Sequence, residues 1–360
     1  MAVGFFRGIR DRYKGSKSDK LKHYEGETVD LNPSVFGKGL KAHSVPAAFI
    51  FAQGGVGDYI NWSSAVKFIA ETCPHVDGRI YVSGLFYDVA KYLFADLPRW
   101  KVFYRDDFPK GCEPESIVCF PKPGTQLINA CGSHLMDLGF MYFACTSPPP
   151  KSHNHLIDLK FEGPWKWPDL DPKSQYAVFT PGSTTEVREM PVAAFNELVK
   201  YTLSKNITPV FLGKRELSGE YAAKFLNYDL TKGVDLRERT NLLEATQIMR
   251  GARFVIGIDN GLLHMAGTTD VPVIFGHNIA TLEHRELRRL KGVTFNVTVP
   301  EKDLPCIGCQ SKMRFVRKHD FRFCFFKDTA NEKACLDHLF KDGASEWKRA
   351  IDQALEVKRD

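Results

Sequence analysis

The sequence predicts a two-domain α/β protein built on parallel sheets. Three observations carry that prediction. The chain has 360 residues, enough for two domains with separate cores. Short apolar runs at 47–52 (AAFIFA), 176–180 (YAVFT) and 254–258 (FVIGI) have the character of strands buried on both faces. Each run leads into a turn of glycines or small hydroxyl residues and then into a helical stretch, which is the βαβ pattern. A hydrophobic share of 43% and a charged share of 26% fit an ordinary globular protein and exclude a disordered or fibrous one. No apolar run approaches the ~18 residues of a membrane span, and residues 1–22 carry no apolar signal-peptide core. The nine cysteines are odd in number and scattered through a long chain. That favours reduced thiols and a cytoplasmic location.

Residues 1–46 form a basic N-terminal arm and irregular lead-in. Arg7, Arg10, Arg12, Lys14, Lys17, Lys20 and Lys22 stand against Asp11 and Asp19, so most of the net charge of +6 belongs to the first 22 residues. Phe5, Phe6, Ile9 and Tyr13 can line one face of a short basic helix. Such an arm suits nucleic acid or an anionic membrane surface, and it equally suits a solvated leader.

The first domain is expected over 47–165. The strand at 47–52 runs into Gln53-Gly54-Gly55-Val56-Gly57-Asp58 and a helix from 59 to 72. Glycines let backbone turn sharply beside a ligand. A dinucleotide fingerprint is disfavoured: Ile60 stands where its third glycine belongs, and the next strand (79–83) ends at Gly84 rather than an acid. By its position Asp58 is an N-cap. A helix at 85–94, strands at 102–104 and 117–120, and a helix at 133–144 follow. Residues 147–173 are a proline-rich linker. Asp169-Leu170-Asp171 is formally a D-x-D metal triplet, but it follows WKWP instead of ending an apolar strand.

The second domain is expected over 166–345. Its first strand, 176–180, opens into Pro181-Gly182-Ser183-Thr184-Thr185, a loop suited to donating N–H and O–H groups to phosphate oxygens. Arg188 follows, a residue type suited to bidentate phosphate binding. Pro191 opens a helix. A strand at 208–212 leads to Glu216, placed to bind ribose hydroxyls, and a helix at 241–250 leads to strand 254–258. Asp259-Asn260-Gly261 then turns into a short helix at 262–268, followed by a strand at 271–275. This turn reads either as a phosphate seat at a helix N-terminus or as one more βαβ unit capped by Asp259 or Asn260. A charged helical segment is expected at 281–291. The basic segment 300–340 holds Cys306, Cys309, Cys324 and Cys335. Cys306-x2-Cys309 is zinc-knuckle spacing, whereas the other pair is ten residues apart, with His319 and His338 as substitutes. The alternative to structural zinc is reduced thiols. A terminal helix closes the chain.

IGIDNGLLHMAGTTDVPVIFG resembles the D-T-G-x-x-H-x-A-A signature of the heptosyltransferases that build lipopolysaccharide cores. Asp259, Gly261, His264 and Ala266 match, while Asn260 replaces the usual Thr and Gly267 the second Ala. The resemblance extends over roughly 47–290. It implies the GT-B architecture, two Rossmann-like domains with parallel sheets facing a central cleft. It also implies inverting, metal-independent transfer from a nucleotide diphosphate sugar to an acceptor hydroxyl, with no cofactor. In the G-x-G-D-x-I loop it makes Asp58 the catalytic base and puts Gly55 and Gly57 on the acceptor side. Arg188 becomes the holder of the donor diphosphate. Ser183, Thr184, Thr185, Glu216, Asp259, Asn260, Gly261 and His264 become donor-binding residues. The terminal helix, 346–360, is expected to cross back to the first domain. The implied acceptor is an anionic surface glycan such as a lipopolysaccharide core at the inner membrane face, where the basic arm would make peripheral contact. The first alternative is hydroxymethylated DNA, since Phe315, Phe321 and Phe323 interleave the basic run 312–322. A sugar-nucleotide epimerase and a non-catalytic binding protein are the others.

Overall fold

The computed structural model describes residues 47–51, 55–107, 117–119, 134–140, 149–183, 185–214, 228–311, 324, 326 and 329–358. The basic arm, Thr184, Glu216, His319 and the aromatic basic run 312–323 lie outside the described residues. The chain divides into two units, one of residues 1–53, 62–122 and 136–153 and the other of 54–61, 123–135 and 154–360.

The first unit is a parallel sheet in the order β3-β2-β1-β4. Its strands are β1 (Ala47–Ile50), β2 (Gly78–Val82), β3 (Trp100–Tyr104) and β4 (Ile117–Cys119). Helix α1 (Val56–Thr72) follows β1, and α2 (Gly84–Leu93) follows β2. Phe49 pairs with Ile80, and Ile80 with Val102, which sets the register of the central strands. Phe51 packs edge-on to Trp62 and stacks on Phe86, all three fully buried. A Cβ at Gly78 would overlap the Trp100 indole, so β2 has to begin with glycine. Of the helix expected at 133–144, α3 covers Leu135–Gly139, and 141–148 lie outside the described residues.

The second unit is a six-stranded parallel sheet in the order β10-β9-β8-β5-β6-β7. The strands are β5 (Tyr176–Thr180), β6 (Thr208–Phe211), β7 (Val234–Asp235), β8 (Val255–Ile258), β9 (Val273–His277) and β10 (Thr294–Thr298). Every residue of β5, β8 and β9 is buried, which is why these strands read as continuous apolar runs. The strand order reverses at β5, flanked by β6 on one side and β8 on the other. In such sheets ligands bind beyond the carboxyl ends at this switch point. Helix α4 (Val192–Ser204) places Phe195 against Phe179 and Phe211. Helix α5 (Leu242–Gly251) starts with a full capping box between Asn241 and Glu244. Helix α6 (Gly261–Ala266) joins β8 to β9.

Several elements differ from the sequence reading. Pro191 is the N-cap of α4 and not its first helical residue. The strand expected at 271–275 is Val273–His277, since Pro272 has no N–H to give the ladder. The charged run 281–291 makes only one helical turn, α7 (Leu282–Arg285), because His284, Arg285 and Leu287 turn inward. Strands β7 and β10 carried no clear period and were not expected. The linker residues 154–175 belong to the second unit: Gln247 and Arg250 of α5 donate to Gly163 O and Phe161 O. Helix α8 (Ala334–Leu339) precedes α9 (Lys341–Glu356), which is broken at Asp342–Ala344. Where a crossing back to the first domain is expected of the terminal helix, α9 packs on α4, β9 and β10 of its own unit, and Trp347, Ile351 and Ala354 are buried there. Tyr201 and Glu197 of α4 hold its Asp352 and Lys348 at 2.7 and 2.6 Å. Gly276 in β9 leaves the room that the Trp347 ring fills.

Candidate active site

The carboxyl ends of β5 and β8 are stitched together by Asn260. Its Nδ2 donates to Thr180 O at 2.9 Å, and its Oδ1 accepts from the amides of Leu262 and Leu263 at 3.0 and 3.1 Å. Asn260 is therefore the N-cap of α6. Two of the helix donors that a phosphate would use are already paired, as the capping reading of Asn260 expects. Gly257 permits the close strand approach, since a Cβ there would overlap Thr180.

Asp259 is the electrostatic centre of the unit. It is 3% exposed, and its amide donates to Gly276 O at 3.1 Å. Arg188 Nη1 stands 3.3 Å from Asp259 Oδ2, Arg285 Nε 3.7 Å from the same oxygen, and His264 Nε2 3.3 Å from Oδ1. Burial alone would raise the carboxyl pKa. The charge of Arg285, the His264 hydrogen bond and the charge of Arg188 outweigh burial and hold Asp259 well below the usual carboxylate range. The His264 tautomer follows from its neighbours. Asn61 Nδ2 donates to Gly57 O at 2.8 Å, a partner that can only accept, and its other hydrogen faces His264 Nδ1 at 3.2 Å. Nδ1 is therefore the acceptor, and Nε2 carries the proton that is given to Asp259.

Arg188 also joins the hydroxyl loop to this centre. Its Nε donates to Thr185 Oγ1 at 3.0 Å and its Nη1 to Asp259 O at 3.2 Å. Ser183 Oγ accepts from Thr185 N, and both side chains are nearly buried. Ser183, Thr185, Arg188, Asp259 and His264 are thus linked by hydrogen bonds and ion pairs, and Asn260 joins them through Thr180 and Gly182.

Asp58 sits in the first turn of α1, on a segment (54–61) that belongs by its contacts to the second unit. Its Oδ2 accepts from Gly55 N at 2.6 Å, so Asp58 is not the expected N-cap but the third helical residue, whose carboxylate reaches back to the amide that precedes the helix. Its Oδ1 lies 3.8 Å from Arg285 Nη1. Gly57 faces the His264 ring so closely that a Cβ would stand 2.6 Å from Cδ2. Gly261 lies against Val56, where an added Cβ would stand 3.1 Å from Val56 Cβ. Arg285, Asn61 and Thr180 were missed from sequence. Arg285 hid inside a run that reads as a solvated helix face. Its one signal is its place just past the β9 strand end.

The D-x-D triplet is engaged elsewhere. Asp169 pairs with Arg239 at 3.4 Å, and Asp171 Oδ1 accepts from Lys173 N at 2.9 Å in its own turn. His134, just before α3, is a buried structural residue. It donates from Nε2 to Glu286 O at 2.8 Å, and burial with nearby Arg288 lowers its pKa to about 3.

Cys306, Cys309, Cys324 and Cys335 line one cavity with Asn278 and Val187. His338 does not line it. The ten-residue gap is no obstacle to this convergence, because 324 is brought back beside α8, where Lys333 N donates to its Sγ at 3.2 Å. Burial, with the neighbouring thiols, pushes Cys309 and Cys335 up to about 12. Four sulfurs fit a soft metal in kind. In geometry they fall short: among the described residues no group of three or more His, Cys, Asp or Glu side chains stands in ligating arrangement.

Two parallel-sheet α/β units, the second with a charged centre at its strand-order reversal, are the elements of the GT-B architecture. Residues 152–279 match the model of glycosyltransferase family 9 (heptosyltransferase). Lipopolysaccharide heptosyltransferase 1 of Pseudomonas aeruginosa is 28% identical over 110 residues, which are 29% of either chain. This aligned part is less than a third of that relative. Among solved structures, the iron-containing dodecameric glycosyltransferase TibC of enterotoxigenic E. coli superposes with a TM-score of 0.67 at 16% identity, covering 86% of this chain and 76% of TibC. TibC in complex with ADP-D-beta-D-heptose gives 0.66 at 15% identity, with the same coverage. At these identities the likeness is one of fold. Among the described residues no helix is long and apolar enough to cross a membrane.

Proposed function

We propose that the protein is an inverting glycosyltransferase that moves a sugar, ADP-heptose being the first donor to test, onto an acceptor hydroxyl without a catalytic metal. The observation that carries the reading is the Arg188–Asp259 pair beside the Ser183–Thr185 loop, with Asp58 near the same centre. Asp58 Oδ1 takes the acceptor proton, and the hydroxyl attacks the anomeric carbon opposite the diphosphate. Negative charge then grows on the leaving diphosphate, where Arg188 and the loop hydroxyls stabilise it. Preorganised donors aimed at developing charge are the largest contribution in such chemistry. The engagement of Asp169 and Asp171 with Arg239 and a local turn supports a step without D-x-D metal. The relative named for lipopolysaccharide supports an anionic glycan as acceptor, and the TibC complex with ADP-D-beta-D-heptose supports that donor. A metal on the four cysteines would be closed by four sulfurs and structural. Metal analysis of purified protein separates it from reduced thiols.

The test is a thermal-shift screen with ADP-, UDP-, GDP- and CDP-sugars, followed by transfer with and without EDTA. Ligand at 100 times its Kd stabilises by ~2.7 kcal/mol, an easily read shift. Stabilisation by one nucleotide series and EDTA-resistant transfer are expected. Obligatory Mg²⁺ would bring Asp169 and Asp171 back into question. Release of an epimerised free nucleotide sugar, read by NMR, would make the protein an epimerase. Transfer to hydroxymethylated DNA, with binding that weakens ~10³-fold between 50 and 200 mM salt, would make nucleic acid the acceptor.

A further inference from the structure

Arg285 is a buried cation that the transfer chemistry above does not yet use. It closes the single turn of α7, with 6% of its surface exposed. The backbone after it is pinned, since Glu286 O accepts from the buried His134 Nε2 at 2.8 Å and Glu286 N donates to Leu282 O at 2.7 Å. The guanidinium lies between two carboxylates, 3.8 Å from Asp58 Oδ1 and 3.7 Å from Asp259 Oδ2. Its buried Nε makes no hydrogen bond among the described residues. These distances are within ion-pair reach and too long for hydrogen bonds. Asp58 Oδ2 is already held by Gly55 N. Oδ1 therefore has an orienting cation beside it while its lone pairs remain open to a proton.

We propose that Arg285 is a positioning residue for the transfer reaction, a cationic bridge that sets the Asp58 carboxylate against the Asp259 centre. The inference rests on the reading of Asp58 as base. Arg285 acts through Asp58: it draws the 55–58 turn toward the end of β8 and leaves the acceptor oxygen unblocked. Asp259 keeps Arg188 and His264 when Arg285 is replaced, so donor-side contacts survive the substitution.

The experiment uses the full chain with Arg285→Gln, Arg285→Lys, Asp58→Asn and the Asp58→Asn/Arg285→Gln double variant. Hydrogen exchange by mass spectrometry reports the order of residues 55–61 without need of an acceptor. ADP is the binding probe, and ADP-heptose turnover reports the reaction. Arg285→Gln should speed exchange at 55–61 about tenfold, keep ADP affinity within threefold, and lower kcat tenfold or more with little change in donor KM. Arg285→Lys should recover part of both effects, because it restores the charge without the planar fork. The double variant should be no slower than Asp58→Asn alone. Tenfold weaker ADP binding with unchanged exchange at 55–61 would overturn the proposal and make Arg285 a phosphate ligand. A double variant slower than Asp58→Asn would also overturn it. Full turnover by Asp58→Asn would instead bring down the base reading, a result distinct from either.

Discussion

The two aspartates of this site begin from the same local pattern and end in opposite states. Asp58 follows β1 through a glycine turn into α1, and Asp259 follows β8 through Asn260-Gly261 into α6. Asp58 retains 21% side-chain exposure and one oxygen held only at ion-pair distance. Asp259 retains 4% and is enclosed by two arginines and a histidine. A strand–turn–Asp–helix motif therefore specifies where a carboxylate stands and leaves its chemistry to the groups packed around it. Asp259 serves best as a fixed charge that orders Arg188, Arg285 and His264. In the proposed transfer, Asp58 is the carboxylate with an oxygen left open to the acceptor.

The comparison breaks most visibly in stability. Asp259→Ala leaves the buried Arg285 and the half-buried Arg188 without their shared carboxylate, a kind of change that costs about 3–5 kcal/mol. Asp58→Ala removes only a partly exposed cap and should cost under ~1 kcal/mol. Denaturant midpoints of the two variants measure the difference, and equal losses would erase the distinction. The order reverses for catalysis by Asp58→Asn. Loss of a general base should slow transfer at least ~100-fold while donor affinity stays within a few-fold. Undiminished transfer would leave Asp58 with its cap alone.

Much of this site could be read from residue order, and what escaped has a physical explanation. Buried parallel strands announce themselves by composition, so β5 and β8 were legible nearly to the residue. The loops after β1, β5 and β8 carried Asp58, Ser183, Thr185, Arg188 and Asp259 in motif order, and the structure brings these residues together, with 54–61 counted by its contacts in the second unit. Arg285 was not legible. Within Glu283-His284-Arg285-Glu286 it reads as surface charge, and only tertiary packing turns it inward. Asn260 was legible as a turn residue, yet its cap and its bond to Thr180 depend on β5 lying beside β8. The cysteine segment shows the same limit, because sequence spacing says little about thiols gathered from separate turns.

A smaller effect is expected on the donor side. Arg188→Ala removes the charge that links the hydroxyl loop to Asp259, while Arg285 and His264 remain with the carboxylate. A charge-assisted contact is worth ~1.5–3 kcal/mol. ADP binding measured calorimetrically should weaken about tenfold to a hundredfold, and transfer should slow with it. An unchanged affinity would confine Arg188 to ordering the loop and assign the diphosphate to other groups.

The two glycines of the first loop refine the comparison at the smallest scale. A methyl at Gly55 meets only Asp58 Oδ2 at 3.8 Å, an ordinary contact. A methyl at Gly57 would stand 2.6 Å from His264 Cδ2. That ring is fixed at Nδ1 by Asn61 and at Nε2 by Asp259, so it cannot swing aside without breaking one of them. Overpacking a set core costs about 1–3 kcal/mol. Gly57→Ala should therefore lower the denaturant midpoint by that order and disturb the Asp259 centre, seen as weaker ADP binding. Gly55→Ala should leave ADP binding unchanged, because its methyl reaches only the turn that holds Asp58. If Gly57→Ala binds ADP as the parent does, the His264 bridge between the two aspartate loops carries no weight in the donor site, and the loops act independently.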